Sequence, residues 1–193
     1  MFTTRLLLTA AAVVAVFASS SLDAQAPPDP KPRIAAQKEA MARLAFLDGT
    51  WRGPASMNTQ TGKHTMTQTE RIGPFLDGSV KVIEGRGYEA DGTVSFNALA
   101  IISYDPDKQA YSMRSYAQGR SGDFPVTVKA DGFSWEIPAG PMTIRYTATV
   151  KNGTWHEVGD RIAPGREPVR FFEMTLTRVG DTDWPAGGAI PPK

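Results

Sequence analysis

An all-β domain, about ten antiparallel strands in a meander that closes into a barrel, with one short N-terminal helix, is the fold class this sequence predicts. Three observations carry it. Turn signals recur at short intervals: Thr61-Gly62, Asp77-Gly78, Asp91-Gly92, Asp105-Pro106-Asp107, Asp131-Gly132, Asn152-Gly153 and Pro164-Gly165. The runs between them are rich in threonine, valine, isoleucine and aromatic residues, a composition that fits a pleated, half-buried surface. A long meander also leaves two open edges unless its first and last strands meet, which favours closure. A two-sheet sandwich is the alternative.

Residues 1–26 are expected to be an export signal. Arg5 is the only charge before an apolar run from Leu6 to Phe17, which is short for a bilayer span. The small residues that follow put the cleavage site within 20–26, with Pro27 disfavouring a cut directly before it. The mature chain would then be periplasmic or secreted. Residues 27–32 (PPDPKP) form a stiff proline-rich linker. Residues 33–180 are expected to hold the domain. Its helix, over 33–47, has Ile34, Met41, Leu44 and Leu47 on one face and ends at Asp48-Gly49. Strands follow at about 50–57, 63–72, 79–89, 93–104, 109–117, 123–129, 132–137, 141–151, 153–162 and 169–179. Residues 181–193 return to coil composition, with Trp184 positioned to pin the tail to the barrel.

Alternation assigns faces. Met142, Ile144, Tyr146, Ala148 and Val150 share one side of their strand, and Phe172, Met174 and Leu176 one side of the last. Phe96 to Tyr104 is apolar on both faces and is expected to be covered on both.

Composition removes whole classes of function. The chain has 193 residues, a net charge of +1 and no cysteine. About 167 residues remain after export, enough for one domain with its own core. The charge gives no general attraction to nucleic acid. Without cysteine there is no disulfide, thiolate nucleophile or cysteine-ligated metal. Nothing after residue 26 is apolar enough for a membrane-spanning helix.

Gly49-Thr50-Trp51 after a helix, with Arg178 closing the last strand, resembles the calycin barrels, which include lipocalins and nitrobindins. The resemblance implies that Trp51 lies across a closed end and that Arg178 packs over it, a cation–π contact in which the guanidinium also satisfies loose carbonyls. The segments Leu44–Trp51, Ser103–Tyr111 and Phe172–Arg178 are similar to an uncharacterised, often exported bacterial calycin-like domain family of unknown function. Gly49, Trp51 and Arg178 are thus the expected closure residues.

No catalytic constellation stands out. The two histidines, His64 and His156, lack metal-ligand spacing, so no metal is expected. Nitrobindin-like barrels hold haem through a histidine near the final strands, and this chain has Arg166-Glu167-Pro168-Val169-Arg170 in that approach. Haem on His156 is therefore a weaker alternative, and no cofactor is expected. Ser121 lacks a nucleophile elbow, and Gly85-Arg86-Gly87 lacks the helix a phosphate loop needs.

The barrel interior remains. Gln68, Glu70, Glu84, Arg114, Tyr116, Trp135, Arg145 and Glu173 stand on faces that could point inward, though a one-residue slip in register would invert every assignment. Arg114, Tyr116, Trp135, Arg145, Glu70 and Glu173 are the candidate ligand contacts, an inward arginine requiring an acidic partner. The expected function is a non-enzymatic barrel holding a small apolar or amphipathic (acidic) molecule. The alternative is an envelope structural or protein-interaction domain with a filled core. The sequence names no protein partner.

Overall fold

A computed structural model describes residues 29–185. The expected export signal, the first residues of the linker and the end of the tail lie outside the described residues. Helix α1 spans Lys31–Ala42 with Pro30 as its N-cap. It begins two residues earlier than expected, because a proline in the first turn lacks only an N–H that would have no helical partner. After Ala42 the helix gives way to a single 3₁₀ turn, Ala45–Leu47.

Ten strands follow: β1 (Gly49–Thr59), β2 (Gly62–Phe75), β3 (Val80–Tyr88), β4 (Val94–Asp105), β5 (Ala110–Ala117), β6 (Arg120–Val128), β7 (Gly132–Ala139), β8 (Met142–Lys151), β9 (Thr154–Ile162) and β10 (Val169–Gly180). Each pairs antiparallel with its neighbours in sequence, and β1 pairs with β10, so the sheet is a closed barrel without a free edge. The sandwich alternative is overturned by that last pairing. Strand β6 starts earlier than expected because Gln118 and Gly119 both take positive φ and make a tight two-residue hairpin.

Register separates inside from outside. Trp51 pairs with Glu70, Glu70 with Gly85 and Gly85 with Ala98, so these four face the interior. On the far wall Tyr146 pairs with Trp135 and with Gly159, and Gly159 with Phe172.

One end of the barrel is a floor. Leu44, Leu47, Trp51, Ile72, Ile102 and Leu176 are fully buried there. Helix α1 crosses it, Tyr111 Oη donating to the Ala40 carbonyl at 2.7 Å and Gln37 Nε2 to the Tyr104 carbonyl at 3.0 Å. The helix caps an end and leaves the wall bare. Leu99, on the outer face of β4, is 39% exposed, which corrects the expectation that this strand is covered on both sides. Ile34 is also exposed, so the helix turns only Met41 and the residues after it to the core. Trp184 meets Phe75 edge-on at 5.7 Å, and Arg71 lies 5.2 Å over its ring, fixing the start of the tail to the outer wall of β2. Among the described residues no helix is long and apolar enough to cross a membrane.

Candidate functional site: the barrel interior and its mouth

The floor explains the Gly-x-Trp pattern. Gly49 takes φ +137°, and a Cβ there would meet the Gly180 carbonyl at 2.7 Å and the Arg178 guanidinium at 3.0 Å. The indole N–H of Trp51 donates to the Leu47 carbonyl at 2.9 Å. Arg178 donates to the Asp48 carbonyl at 3.2 Å and to Asp181 at 2.6 Å, so it satisfies loose backbone as expected. The rings that carry a cation are Trp184, Tyr116 and Phe171 among the described residues, not Trp51. Trp51 instead meets Trp155 edge-on at 5.9 Å. Lys81, almost fully buried, forms an ion pair with Asp48 and completes the floor.

The opposite end is ringed by the hairpins between β1 and β2, β3 and β4, β5 and β6, β7 and β8, and β9 and β10. Toward it the inward side chains Met66, Phe96, Phe124, Trp135, Tyr146 and Phe172 keep partial exposure. The two walls differ in bulk. Strands β3 to β6 turn inward Gly85, Gly87, Ala98, Ser115, Ala117 and Gly122 beside Phe96 and Phe124, whereas β7 to β10 present Trp135, Tyr146 and Phe172. Trp135 and Tyr146 stack there at 4.5 Å and 9°.

Two carboxyls face this space. Glu157 is 7% exposed, and its Oε2 accepts the Trp155 indole N–H at 3.2 Å. Glu70 accepts from Gln68 Nε2 at 2.7 Å. Gly85 makes its seat, since a Cβ there would lie 2.7 Å from Glu70 Oε1. No lysine or arginine pairs with either carboxyl among the described residues. Burial therefore pushes Glu70 up to about 8 against the opposing Gln68 bond, and the charge of Glu157 adds to the rise. Burial likewise pushes Glu157 up to about 7, with the Trp155 bond opposing. Tyr146 rises to about 12, mainly through burial.

Arg161 stands at the mouth. It pairs with inward Ile144, and its guanidinium lies 4.4 Å over the Phe171 ring. A bulge between Arg170 and Phe172 gives β10 its extra residue and lets Phe171 be buried beside Phe172. Arg161 forms no ion pair among the described residues. His64, at the rim, is 3.1 Å from Glu89.

Of the candidate contacts, Glu70 and Trp135 are brought together inside. Arg114, Tyr116, Arg145 and Glu173 are corrections: each lies on the outer wall. Arg114 pairs with Asp123 at 2.5 Å and lies over Tyr116, which is 46% exposed. Arg145 pairs with Glu136 at 2.6 Å, and Glu173 with His156 at 3.0 Å. Glu84 is outside too, paired with Arg86. The physical reason is phase: Met113 and Tyr146 face in, so their strand neighbours face out. His156 also faces out, which removes it as a ligand for a haem within the barrel.

Sequence reasoning missed Glu157 and Arg161. The signal was partial: Trp155, Glu157, Gly159 and Arg161 share one phase, but buried Val158 stands in the other with His156 and Asp160. A separate recess of roughly 520 Å³ lies on the outer wall of β3 to β5, lined by Arg86, Asn97, Leu99, Tyr116 and Arg120 among others. Among the described residues no three histidine, aspartate or glutamate side chains are grouped to hold a metal.

No protein-family model matches the chain, and no curated protein does. Solved structures do. The crystal structure of Rv2717c from M. tuberculosis superposes with a TM-score of 0.54 at 11% identity, covering 72% of this chain and 96% of that one. The S-type phycobiliprotein lyase CPES from Guillardia theta gives 0.48 at 10% identity, covering 75% and 96%. Identities this low speak to fold alone. By its strand order and the first of these likenesses, the protein is a closed, ten-stranded calycin-like β-barrel.

Proposed function

We propose that the barrel is a non-enzymatic binder of a small molecule with an apolar body, taken up through the mouth end. The supporting observation is the contrast between the ends: Trp51, Leu44, Leu47 and Leu176 at the floor are fully buried, while inward rings near the mouth stay partly exposed. The inward rings near the mouth, with Arg161 beside them and Glu70 and Glu157 below, make the mostly apolar lining with a few polar groups typical of ligand sites. An acid group on such a molecule would meet Arg161, not Arg114 or Arg145. Export to the periplasm or beyond, and kinship with the uncharacterised exported calycin-like family, remain part of the proposal and rest on residues 1–26 and the quoted segments.

Mass spectrometry of organic extracts from the purified protein should recover a co-purified amphiphile. The companion test adds bulk to the small wall. Ala98→Phe should abolish binding of anilinonaphthalene sulfonate while changing the melting temperature little. A filled-core scaffold would instead be strained and lose about 1–3 kcal/mol.

A further inference from the structure

We propose that the cavity selects a two-ended amphiphile, with an amine at its deep end set against Glu157 and Glu70 and an acid at its outer end set against Arg161. This rests on the interior-binding reading above and adds the class of ligand.

Glu157 is more than nine-tenths buried, yet only Oε2 has a donor. Oε1 receives nothing from the described residues. No buried side-chain oxygen is left without a partner, so this atom borders accessible space and not packed carbon. Glu70, half-buried, likewise has Gln68 on Oε1 and nothing on Oε2. Each carboxyl is therefore held by one neutral donor and keeps one oxygen free. A buried carboxylate without a cation is costly, and apolar residues of equal size would fill the same volume more stably. A ligand that donates hydrogen bonds and carries positive charge removes that cost.

Arg161 supplies the opposite pole. It lies four residues beyond Glu157 on the same face of β9, a rise of about 13 Å. The Trp135–Tyr146 stack flanks the space between. The groups facing the carboxyls are Gln68, the Trp155 indole and the Tyr146 ring, with the charge of Glu84 felt through the wall. None of these is a cation, so once the carboxyls ionise, a positive group beside them would come with the ligand.

The test uses the full mature chain at about pH 9, above the values of both carboxyls. Calorimetry compares ω-aminoundecanoate, undecylamine, undecanoate and undecanol, which share one apolar body. The aminoacid should bind about tenfold or more tighter than undecanoate. Glu157→Gln should erase that preference while still binding undecanoate, and Glu70→Gln should reduce it. Arg161→Met should weaken ω-aminoundecanoate and undecanoate alike, by about tenfold, and leave undecylamine unchanged. Equal binding of ω-aminoundecanoate and undecanoate, or a preference that survives Glu157→Gln, overturns the two-ended ligand and leaves interior binding intact. If none of the four binds, both readings fall.

Discussion

The floor and the mouth of this barrel are built from the same strands, yet they solve opposite problems. At the floor Leu44, Leu47, Trp51, Ile72, Ile102 and Leu176 are fully buried, Trp51 and Lys81 have partners, and Gly49 lets the Gly180 carbonyl and the Arg178 guanidinium approach its backbone. At the mouth, rings keep partial exposure and Arg161 is without an ion pair among the described residues, while deeper in, above the floor, two carboxyls have spare oxygens. The difference teaches where stability and recognition are kept. One end fixes the closure and the other retains unmet bonding capacity for something that arrives.

Exchanging like for like across the two ends should break this contrast if it is false. Trp51→Ala removes a buried ring and strands the Leu47 carbonyl, so chemical denaturation should show a loss of ~3–5 kcal/mol. Trp135→Ala, at a partly exposed site, should lose less than half of that and should enlarge the space available to an apolar dye. Equal losses would remove the distinction.

The carboxyls give the next effect, of order 3 kcal/mol for Glu157. Their folded values lie above the ordinary 4.5, so between 4.5 and about 8 the folded protein binds more protons than the unfolded chain. Their contribution to stability is therefore full below pH 4.5 and is lost as pH rises through 7 and 8. Glu157→Gln should flatten the decline and gain about 2 kcal/mol above pH 8, read from urea midpoints across pH. Outside the barrel the sign reverses. The hydrogen bond from His156 holds Glu173 below its ordinary value, so that pair stabilises the fold above 4.5 and weakens in acid.

At the floor, Lys81→Met should cost ~1–3 kcal/mol, because it leaves partly buried Asp48 without its cation. The smallest effects belong to the outer wall. Arg114→Ala and Arg145→Ala break exposed pairs and should each change stability by less than ~1 kcal/mol, with ligand binding unaffected. A loss of binding in either would sharpen attention on the outer recess instead.

The fold was legible because turn chemistry and alternation are local. Asp77-Gly78 and Asn152-Gly153 take the positive φ their sequence announces, and Met142 to Val150 keep one phase. Trp51 and Arg178 were legible through the resemblance of Gly49-Thr50-Trp51 and the end of the last strand to calycin barrels. The interior was only partly so. Glu70 and Trp135 were placed among the candidates, but Arg114, Tyr116, Arg145 and Glu173 fell on the wrong face. A strand containing Arg and Tyr in alternate positions does not reveal which phase is buried until its neighbours are known. Arg114 becomes outward only through the pairing of Ile101 with it and of Met113 with Ile102. Glu157 was hidden for another reason: a buried carboxyl without a cation contradicts the general rule that such groups lie outside.

The indole signals of the four tryptophans offer the most direct reading, since Trp51 and Trp155 mark the floor side, Trp135 the mouth and Trp184 the outer wall. Titrating the labelled protein with ω-aminoundecanoate and following the indole N–H resonances should move Trp135 strongly, Trp155 through its contact with Glu157, and leave Trp51 and Trp184 in place. Four unmoved signals at saturating ligand, or movement of Trp184 alone, would contradict an open mouth leading to a receptive interior.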